Sequence, residues 1–349
     1  MNELIPLSNI NESNLVSAPL TKKQIAALNK VSQKQIEITK KVDQEKVVQS
    51  LERYIENSKA SSTRRAYKKD IDQYKEWCKN NNVEAIPASS RVLSAFLTVL
   101  ADSGLRVSTI ERKRAAIASE HENLGLDNPN KSKLVSHTMR GIRKSKGLMQ
   151  NRKSPITDDV LFEMLNHCSG DDLRSIRDKA ILTTAFLGAL RRSELVALKV
   201  EDLQFKDKGV DVIIRKSKTD QEGKGVTIPL LDGPNFKIKR VLKRWIDSAG
   251  IKEGFLFRPF KKGSEKLNER GISTSYFAEL VKKYASLIGE NEANFSGHSM
   301  RRGFMTTAAN NKAHIKKMMK ISRHTKTDTA IVYIDDAEMY EDHAAESFA

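Results

Sequence analysis

Apolar residues recur every three or four positions along the first part of the chain, from about residue 43 to residue 147. Ile71, Tyr74 and Trp77 illustrate the spacing, which places side chains on one face of a helix. Short polar links interrupt the pattern, and Pro87 and Gly104 lie at two of these breaks. Amphipathic helices joined by short links bury their apolar faces against one another. The segment is therefore predicted to form a compact helical bundle.

Polar residues that can cap a helix mark the predicted helix starts in this bundle. The candidate caps are Ser61-Ser62-Thr63 for one helix, Ser89-Ser90 for the next, and Ser108 or Thr109 for the one after. A further helix is predicted near 134–144.

The second half of the chain mixes helical and strand patterns. Helices are predicted near 158–168 and 174–188, and the last part, to about Tyr333, is mostly helical. Residues 210–215 and 225–230 predict the two strands of a hairpin, joined by a polar and basic turn at 216–224. The predicted fold class is therefore mainly α with a small antiparallel β-sheet.

A chain of 349 residues is long enough for two domains. The stretch 148–155 is polar and ends in Pro155, which predicts a linker between the bundle at 43–147 and a second domain at 156–335. An N-terminal arm is predicted at 1–42, as an extra helix or as a plain tail. A C-terminal tail is predicted at 336–349.

The chain carries 61 Lys and Arg residues against 44 Asp and Glu, a formal net charge of +17. This excess favours a polyanionic partner, with nucleic acid first and ribosomal or membrane-surface roles left open. Basic residues cluster on two predicted helices of the bundle and are candidate DNA phosphate contacts. They are Arg64, Arg65 and Lys68 on one helix, and Arg106, Arg112 and Lys113 on the other. A solvated helix face is the alternative for each of them.

No apolar run approaches the roughly 20 residues that cross a bilayer, so no membrane partner is predicted. The N-terminus lacks the basic start and apolar stretch of a secretory signal, so a cytoplasmic protein is expected. Cys78 and Cys168 lie far apart without zinc-ligand spacing and are predicted to be ordinary buried or half-buried thiols. No group of His, Cys and Asp has metal-ligand spacing and no glycine-rich phosphate loop occurs, so no metal and no other cofactor is predicted.

Three separated clusters of basic residues and histidines stand out in the second domain. They are Arg191-Arg192-Ser193-Glu194, then His298-Ser299-Met300-Arg301-Arg302, and then Ser322-Arg323-His324 followed by Tyr333. Taken singly, the first could be a surface helix pair, the second a polar helix start, and Tyr333 a core tyrosine.

Taken together, the clusters resemble the tyrosine recombinase family, the relatives of phage lambda integrase, Cre and the Xer proteins. The family motif has an Arg two residues before Ser/Ala-Glu-Leu/Ile, a Lys on a β-hairpin turn, His-x-x-Arg, and a His or Trp nine residues before a nucleophilic Tyr. The matching residues here are Arg191 before Ser193-Glu194-Leu195, Lys218-Thr219, His298 with Arg301, and His324 with Tyr333. The bundle resembles the family's SAM-like core-binding domain, through Ser62-Thr63, Tyr67, Asp70 and Trp77-Cys78. The resemblance spans about residues 45–335 and implies an α+β recombinase catalytic domain after the bundle.

The resemblance implies that Tyr333 cleaves DNA by attacking a phosphodiester, which forms a 3′-phosphotyrosine. Breaking this bond without a metal requires stabilisation of the negative charge on a pentacoordinate phosphorane. Arg191 and Arg301 carry permanently charged guanidiniums that suit its oxygens, and His324 would donate a further hydrogen bond. The phosphotyrosine conserves the ester bond, so religation would need no ATP.

Two of the implied roles have rivals within the chain. Lys218 is implied as the general acid that protonates the departing 5′-oxygen, and Lys216 and Lys224 are alternatives. Tyr340 is a rival to Tyr333 as the nucleophile, although its spacing does not match the family motif.

The remaining candidates support the reacting groups. His298 would act as a base or as a further phosphate contact, and Glu194 would orient His298 or Arg191. Arg192 and Arg302 follow catalytic neighbours directly, and on a helix they point roughly 100° away from them. They are therefore predicted to contact the DNA backbone, or to be surface residues.

The resemblance also implies the partner and the assembly. The two domains would grip opposite faces of double-stranded DNA, with two protomers on an inverted-repeat site. Two such dimers would form a tetramer that exchanges strands through a Holliday junction, in the cytoplasm at the nucleoid. The acidic tail at 337–348 is predicted to dock on a neighbouring subunit through Met339, Tyr340 and Phe348, or else to be solvated.

Three rival functions stay open at the level of sequence. A type IB topoisomerase shares the catalytic set, and it would relax DNA that lacks any special site. A DNA-binding relic without activity would need a decayed catalytic set. An RNA-binding protein would be expected to carry an aromatic-rich stacking motif.

Overall fold

The computed structural model describes residues 44–57, 60–147, 153–215 and 225–337. The chain divides into two compact units, one up to Gln150 and one from Asn151, and this boundary lies within the predicted linker at 148–155. Three predicted features lie outside the described residues: the N-terminal arm, the hairpin turn with Lys218, and the tail from residue 338 with Tyr340.

The first unit is helical, as predicted. Its helices are α1 (Gln44–Asn57), α2 (Ser61–Asn80), α3 (Ser90–Asp102), α4 (Val107–Asn123) and α5 (Lys133–Lys146). Helix α2 packs against α4, and α3 packs against α5. Their apolar faces bury Tyr74, Phe96, Ile110 and Met139 in one core, where the Tyr74 and Phe96 rings lie 5.0 Å apart.

Helix starts in this unit agree only partly with the predicted caps. Ser89 caps α3 as predicted, because its side chain accepts a hydrogen bond from the backbone N–H of Val92 at 3.2 Å. The cap positions of α2 and α4 are Ala60 and Arg106, and neither side chain makes a capping hydrogen bond. The predicted caps at 61–63 and at 108–109 are therefore wrong, since these residues already belong to the first helical turns.

The second unit combines helices with a small sheet. Its elements are α6 (Asp158–Asn166), α7 (Leu173–Leu187), α8 (Arg192–Ala197), β1 (Leu203–Lys206), β2 (Gly209–Ile214), β3 (Val226–Leu231), α9 (Ile238–Ala249), α10 (Thr274–Leu287), α11 (Gly297–Asn310), α12 (Ile315–Ser322) and α13 (Thr327–Ala337). The predicted helices near 158–168 and 174–188 correspond to α6 and α7.

The sheet is antiparallel in the order β1-β2-β3. The predicted hairpin is confirmed as β2 and β3, with Val212 opposite Ile228. Both side chains are buried, so this face of the sheet joins the core of the unit. Strand β1 pairs with β2 and was not predicted, because its side chains are largely exposed and show no apolar alternation.

Helix α7 runs through the core and places the loop that follows it. Ala180, Ile181, Ala185 and Phe186 of α7 are buried, so the helix is enclosed on several sides. The chain turns at Ala189, whose φ is +43°, and enters α8 at once. Arg191 thus lies on the short loop that follows this well-buried helix.

Helix α11 lies very close to the chain that follows the linker. The backbone N–H of Ile156 donates to the carbonyl of Ser299 at 3.0 Å. A Cβ atom on Gly303 would lie 1.6 Å from the Ile156 carbonyl oxygen, so this position requires glycine. The contact holds α11, with its His298 and Arg301, in a defined position.

Helices α12 and α13 rest on a small separate core. Its buried residues are Met305 and Ala309 of α11, Met318 of α12 and Ala330 of α13, and the half-buried ring of Tyr333 packs against them. This cluster is distinct from the main core of the second unit.

Both cysteines, Cys78 and Cys168, are free and buried, as predicted. Among the described residues, no helix combines the length and the apolar character needed to cross a membrane.

Candidate active site

Arg191 and Glu194 form a tight unit at the start of α8. The Arg191 backbone N–H donates to Glu194 Oε2 at 2.8 Å, and Arg191 Nη1 donates to Glu194 Oε1 at 2.7 Å. Glu194 is buried, while the Arg191 side chain is 16 % exposed. The carboxylate therefore holds the guanidinium in place while part of it stays open to solvent. Of the two partners predicted for Glu194, the structure shows Arg191.

His298 and Arg301 lie one turn apart at the start of α11. Ser296 caps this helix, accepting a hydrogen bond from the backbone N–H of His298 at 3.2 Å. Arg301 is buried, and its Nη1 donates to the carbonyl of Ala189 at 2.8 Å. Its Nη2 is buried without a hydrogen-bond partner among the described residues. A buried charged donor left without an acceptor is costly, so this nitrogen marks a place for an anion.

His324 and Tyr333 lie beside each other. Their rings are stacked, with centroids 6.5 Å apart and planes 19° apart. His324 Nδ1 lies 3.0 Å from the hydroxyl of buried Ser322, which orients the imidazole. Both rings are half-buried, so the Tyr333 ring is packed and yet accessible.

The electrostatics show that these groups share one cationic cluster. Burial and the nearby charges of Arg301 and Arg191 lower the pKa of His324 from 6.5 to about 4. Burial and the same kind of repulsion, first from Arg301, lower the pKa of His298. Burial, Arg191 and Arg323 lower the pKa of Arg301 to about 9, so it stays charged at pH 7. Both imidazoles are therefore neutral at pH 7 in the free protein, and a negative charge would be stabilised here.

Arg323 is a member of this cluster to which the sequence analysis assigns no role. It is 8 % exposed, and its Nη2 donates to Glu194 Oε2 at 2.7 Å. Burial alone would raise the pKa of Glu194, but Arg323 and Arg191 outweigh it and hold that pKa below its usual value. No pattern in the sequence distinguishes this arginine from a surface residue.

Lys218 lies outside the described residues, so the structure places every predicted catalytic residue except this one. Of the two predicted backbone contacts in this unit, Arg192 is exposed and its aliphatic stem packs where Gly297 leaves space. Arg302 is half-buried and donates to the carbonyl of Lys153. Both also contribute to lowering the pKa of His298, so both lie near the cluster.

The basic residues predicted on the bundle differ in exposure. Arg65, Lys68, Arg106 and Arg112 are exposed and Arg64 is half-buried; Arg112 also pairs with Asp70 at 2.9 Å. Lys113 is different, because it is 5 % exposed and its ammonium binds Asp70 at 3.0 Å. Lys113 shares the buried face of α4 with Ile110 and Ile117, which are three and four residues away. It is therefore removed from the set of candidate DNA contacts.

Comparisons with known proteins identify both units. Residues 154–339 match the phage integrase family, and residues 48–124 match the N-terminal SAM-like domain of phage integrases. An integrase/recombinase XerD homolog of Selenomonas ruminantium is 36% identical over 297 residues, which cover 84% of this chain and 86% of the relative. The Cre recombinase of Escherichia phage P1 is 27% identical over 278 residues, which cover 74% and 79%.

Solved structures share the fold. The lambda integrase (75–356) dimer bound to a COC′ core site matches with a TM-score of 0.56 at 14% identity, over 80% of this chain and 90% of that one. The post-cleavage complex of XerH with palindromic difH matches with a TM-score of 0.55 at 18% identity, over 72% and 70%. Since the family model covers more than half of the chain and the Selenomonas ruminantium relative most of it, the chain belongs to the phage integrase family, the tyrosine recombinases.

Proposed function

We propose that this protein is a site-specific DNA recombinase in which Tyr333 is the nucleophile. The Tyr333 oxygen attacks a DNA phosphorus, a 3′-phosphotyrosine forms, and the bond to the 5′-oxygen breaks. The 5′-hydroxyl of a second duplex then attacks the phosphotyrosine and releases Tyr333. One ester replaces another at each step, so the exchange needs no ATP. The observation that carries the proposal is the cationic cluster beside the Tyr333 ring.

The cluster suits the charge that develops during this reaction. The phosphorane carries more negative charge than the diester, and Arg191 and Arg301 present planar donors to its oxygens. Within the described part of the chain, Arg301 Nη2 has no acceptor before any DNA is bound. Donors that are fixed before the reaction contribute about 10²–10³ each in rate, because they need no reorganisation.

His298 and His324 extend the donor set. Since both pKa values lie below the usual histidine value, each ring has one protonated and one unprotonated nitrogen at pH 7. His324 can therefore donate to a phosphate oxygen beside the attacking phenol. His298 can accept a proton or donate a further bond. We assign Lys218 as the general acid for the 5′-oxygen on the strength of the sequence motif, with Lys216 and Lys224 as alternatives.

The proposal includes the DNA and the assembly. Two protomers would bind an inverted-repeat site and two sites would form a tetramer with a Holliday junction, in the cytoplasm at the nucleoid. Support comes from two proteins of similar fold: the lambda integrase structure is a dimer bound to a core site, and the XerH structure holds a palindromic substrate. Exposed Arg65, Lys68, Arg106, Arg112 and Arg192, with half-buried Arg64 and Arg302, would contact the DNA backbone.

The nucleophile can be tested by trapping the covalent intermediate. The full chain first selects its binding site from random duplex DNA, and a nick is then placed beside the scissile phosphate so that cleavage cannot reverse. Wild-type protein is expected to give a denaturation-resistant DNA adduct. Tyr333→Phe removes the attacking oxygen, so it should give no adduct and should keep its specific DNA affinity.

Tyr340→Phe is the matched control, because it removes the rival phenol. It should form the adduct as the wild type does, and an adduct with Tyr333→Phe would refute the assignment. The same protein is then given one plasmid with two selected sites and a supercoiled plasmid with none. Recombination of the first without relaxation of the second supports the proposal, whereas relaxation of the second favours a topoisomerase.

A further inference from the structure

Arg323 joins two of the segments that carry the proposed reacting groups. It is the last residue before His324, and it follows the final turn of α12. Its guanidinium reaches back to the loop between α7 and α8, where Nη1 donates to the Gly188 carbonyl at 3.2 Å and Nη2 to the Ala189 carbonyl at 3.1 Å. The side chain thus connects the Tyr333 end of the unit to the loop that carries Arg191.

The same guanidinium also binds the carboxylate that holds Arg191. Glu194 Oε2 accepts from Arg323 Nη2 at 2.7 Å, while Oε1 accepts from Arg191 Nη1 at 2.7 Å. In return, Arg191 Nη2 donates to the Arg323 carbonyl at 3.3 Å. Arg191 and Arg323 are therefore joined twice, once through Glu194 and once directly.

The terminal nitrogens of Arg323 are fully used within the protein. Nη1 donates to the carbonyls of Gly188 and Ile321, and Nη2 donates to Ala189 and Glu194. Each nitrogen has two hydrogens, so no N–H of the pair is left for a phosphate. Among the described residues, the Arg323 nitrogen without an acceptor is the inner Nε, whereas in Arg301 it is the terminal Nη2.

The backbone of Arg323 adopts a conformation that favours glycine. Its φ is +57°, in the left-handed region that glycine adopts without strain and that other residues adopt at a cost. An arginine here accepts that cost and places a long side chain into the site. Lysine could not replace it equally, because an ammonium has three N–H donors and Arg323 donates to four acceptors.

We propose that Arg323 is a positioning residue for strand cleavage. It fixes the segment bearing His324 and Tyr333 against the loop bearing Arg191, and so sets the distance between the nucleophile and the phosphate donors. The inference rests on the proposed function, since it names the residue that assembles the proposed active site.

Arg323→Gly tests this idea without backbone strain, since glycine accepts the left-handed conformation. Specific DNA affinity should stay close to that of the wild type, and the single-turnover rate of adduct formation on the nicked site should fall about 10- to 100-fold. Guanidinium ion added to the reaction should restore part of the lost rate to Arg323→Gly and none to Tyr333→Phe. Lys312→Gly is the matched control, because Lys312 is an exposed basic residue with a φ of +53° in the same unit, and it should cleave at the wild-type rate.

A wild-type cleavage rate for folded Arg323→Gly would overturn the inference, and so would a rate loss that guanidinium cannot restore. If Arg323→Gly does not fold, Arg323→Lys keeps the charge, and it should cleave more slowly than the wild type at unchanged DNA affinity; an equal rate would again overturn the idea. Failure of the wild type itself to form an adduct would instead count against the proposed function, so the two failures are distinguishable.

Discussion

Two buried guanidiniums share the carbonyl of Ala189 and differ in what they leave open. Arg301 donates to it from Nη1 and keeps Nη2 without an acceptor among the described residues, whereas Arg323 uses all four terminal hydrogens within the protein. The first arrangement is suited to bind an incoming anion and the second to hold neighbouring groups in place. Residue type alone therefore does not decide the role of an arginine in this site.

The two imidazoles make stability depend on pH. Burial and nearby arginines hold the pKa of His324 at about 4 and lower that of His298, while an unfolded histidine titrates near 6.5. As pH falls below about 6.5, the unfolded chain takes up protons that the folded chain does not, so the free energy of unfolding decreases. Glu194 adds nothing in this window, because its pKa is lowered from 4.5.

We predict that DNA-free protein loses stability between pH 7 and pH 5.5, and that His324→Gln removes part of this loss. The difference should be on the order of 1 kcal/mol or less, since the ring is only half-buried. Urea unfolding at the two pH values measures it. Between pH 7 and pH 8 both imidazoles are largely neutral in the folded and the unfolded state. The free energies of unfolding of wild type and variant should therefore change with pH in the same way there. The prediction would be contradicted if wild type and His324→Gln lost the same free energy of unfolding between pH 7 and pH 5.5.

At the scale of elements, α11 is the helix on which the site depends. It carries His298 and Arg301, supplies part of the small core under Tyr333, and lies in backbone contact with Ile156. Its position is set by Gly303, where no side chain fits. A change at Gly303 therefore acts on the site from a distance, through the helix.

Gly303→Ala should destabilise the protein by about 1–3 kcal/mol, because the added methyl meets a backbone carbonyl that cannot rotate away. Urea unfolding measures the loss. Gly141→Ala is the matched control, since Gly141 is an exposed glycine of α5 with open space around its Cβ position. That substitution should be neutral or should stabilise by about 0.5–1 kcal/mol. A stable Gly303→Ala protein would mean that α11 can move away from Ile156.

At the scale of the whole molecule, the excess of positive charge acts over the longest distance. A net charge of +17 attracts DNA at long range, and individual phosphate contacts release counterions. The exposed basic residues of the bundle can make such contacts, whereas Lys113 is occupied by Asp70. Total charge therefore overstates the number of residues that can reach DNA.

We predict that DNA affinity falls steeply with salt, with a slope of about −0.9 in log–log form for each phosphate contact. The double variant Arg65→Gln/Lys68→Gln should make this slope shallower by about 2. Binding titrations from about 50 to about 300 mM salt measure it. Lys113→Gln is the comparison, because it removes one positive charge that belongs to a buried ion pair. It should lower thermal stability and leave the slope unchanged. The prediction would be contradicted if the wild-type affinity did not depend on salt, or if Lys113→Gln weakened that salt dependence.

Much of the fold followed from sequence because its signals are periodic. Apolar spacing located the bundle helices, and the strands at 210–215 and 225–230 were found through their β-branched residues. Strand β1 was missed because a short, exposed strand owes its pairing to its neighbour rather than to its own residues. The caps at 61–63 and 108–109 were misplaced because a polar residue can lie inside a first turn as readily as before it.

The candidate site could be predicted through the resemblance to the tyrosine recombinases, whose motif Arg191, Glu194, His298 and Arg301 match. The role of Arg323 was not predictable, because burial, a left-handed backbone and three acceptors from distant segments come together only in the fold. Lys113 could have been recognised as buried, since it lies at helical spacing from two apolar residues of α4.

The small core under α12 and α13 has a consequence for how cutting can be restrained. Four buried side chains, two of them alanines, anchor the helix that bears Tyr333, whereas the main core of the unit is several times larger. Segments with few apolar contacts open at a lower free energy than the whole domain. We therefore expect α13 to detach at a lower free energy than the main core unfolds, which would carry the Tyr333 phenol away from His324 and stop cleavage.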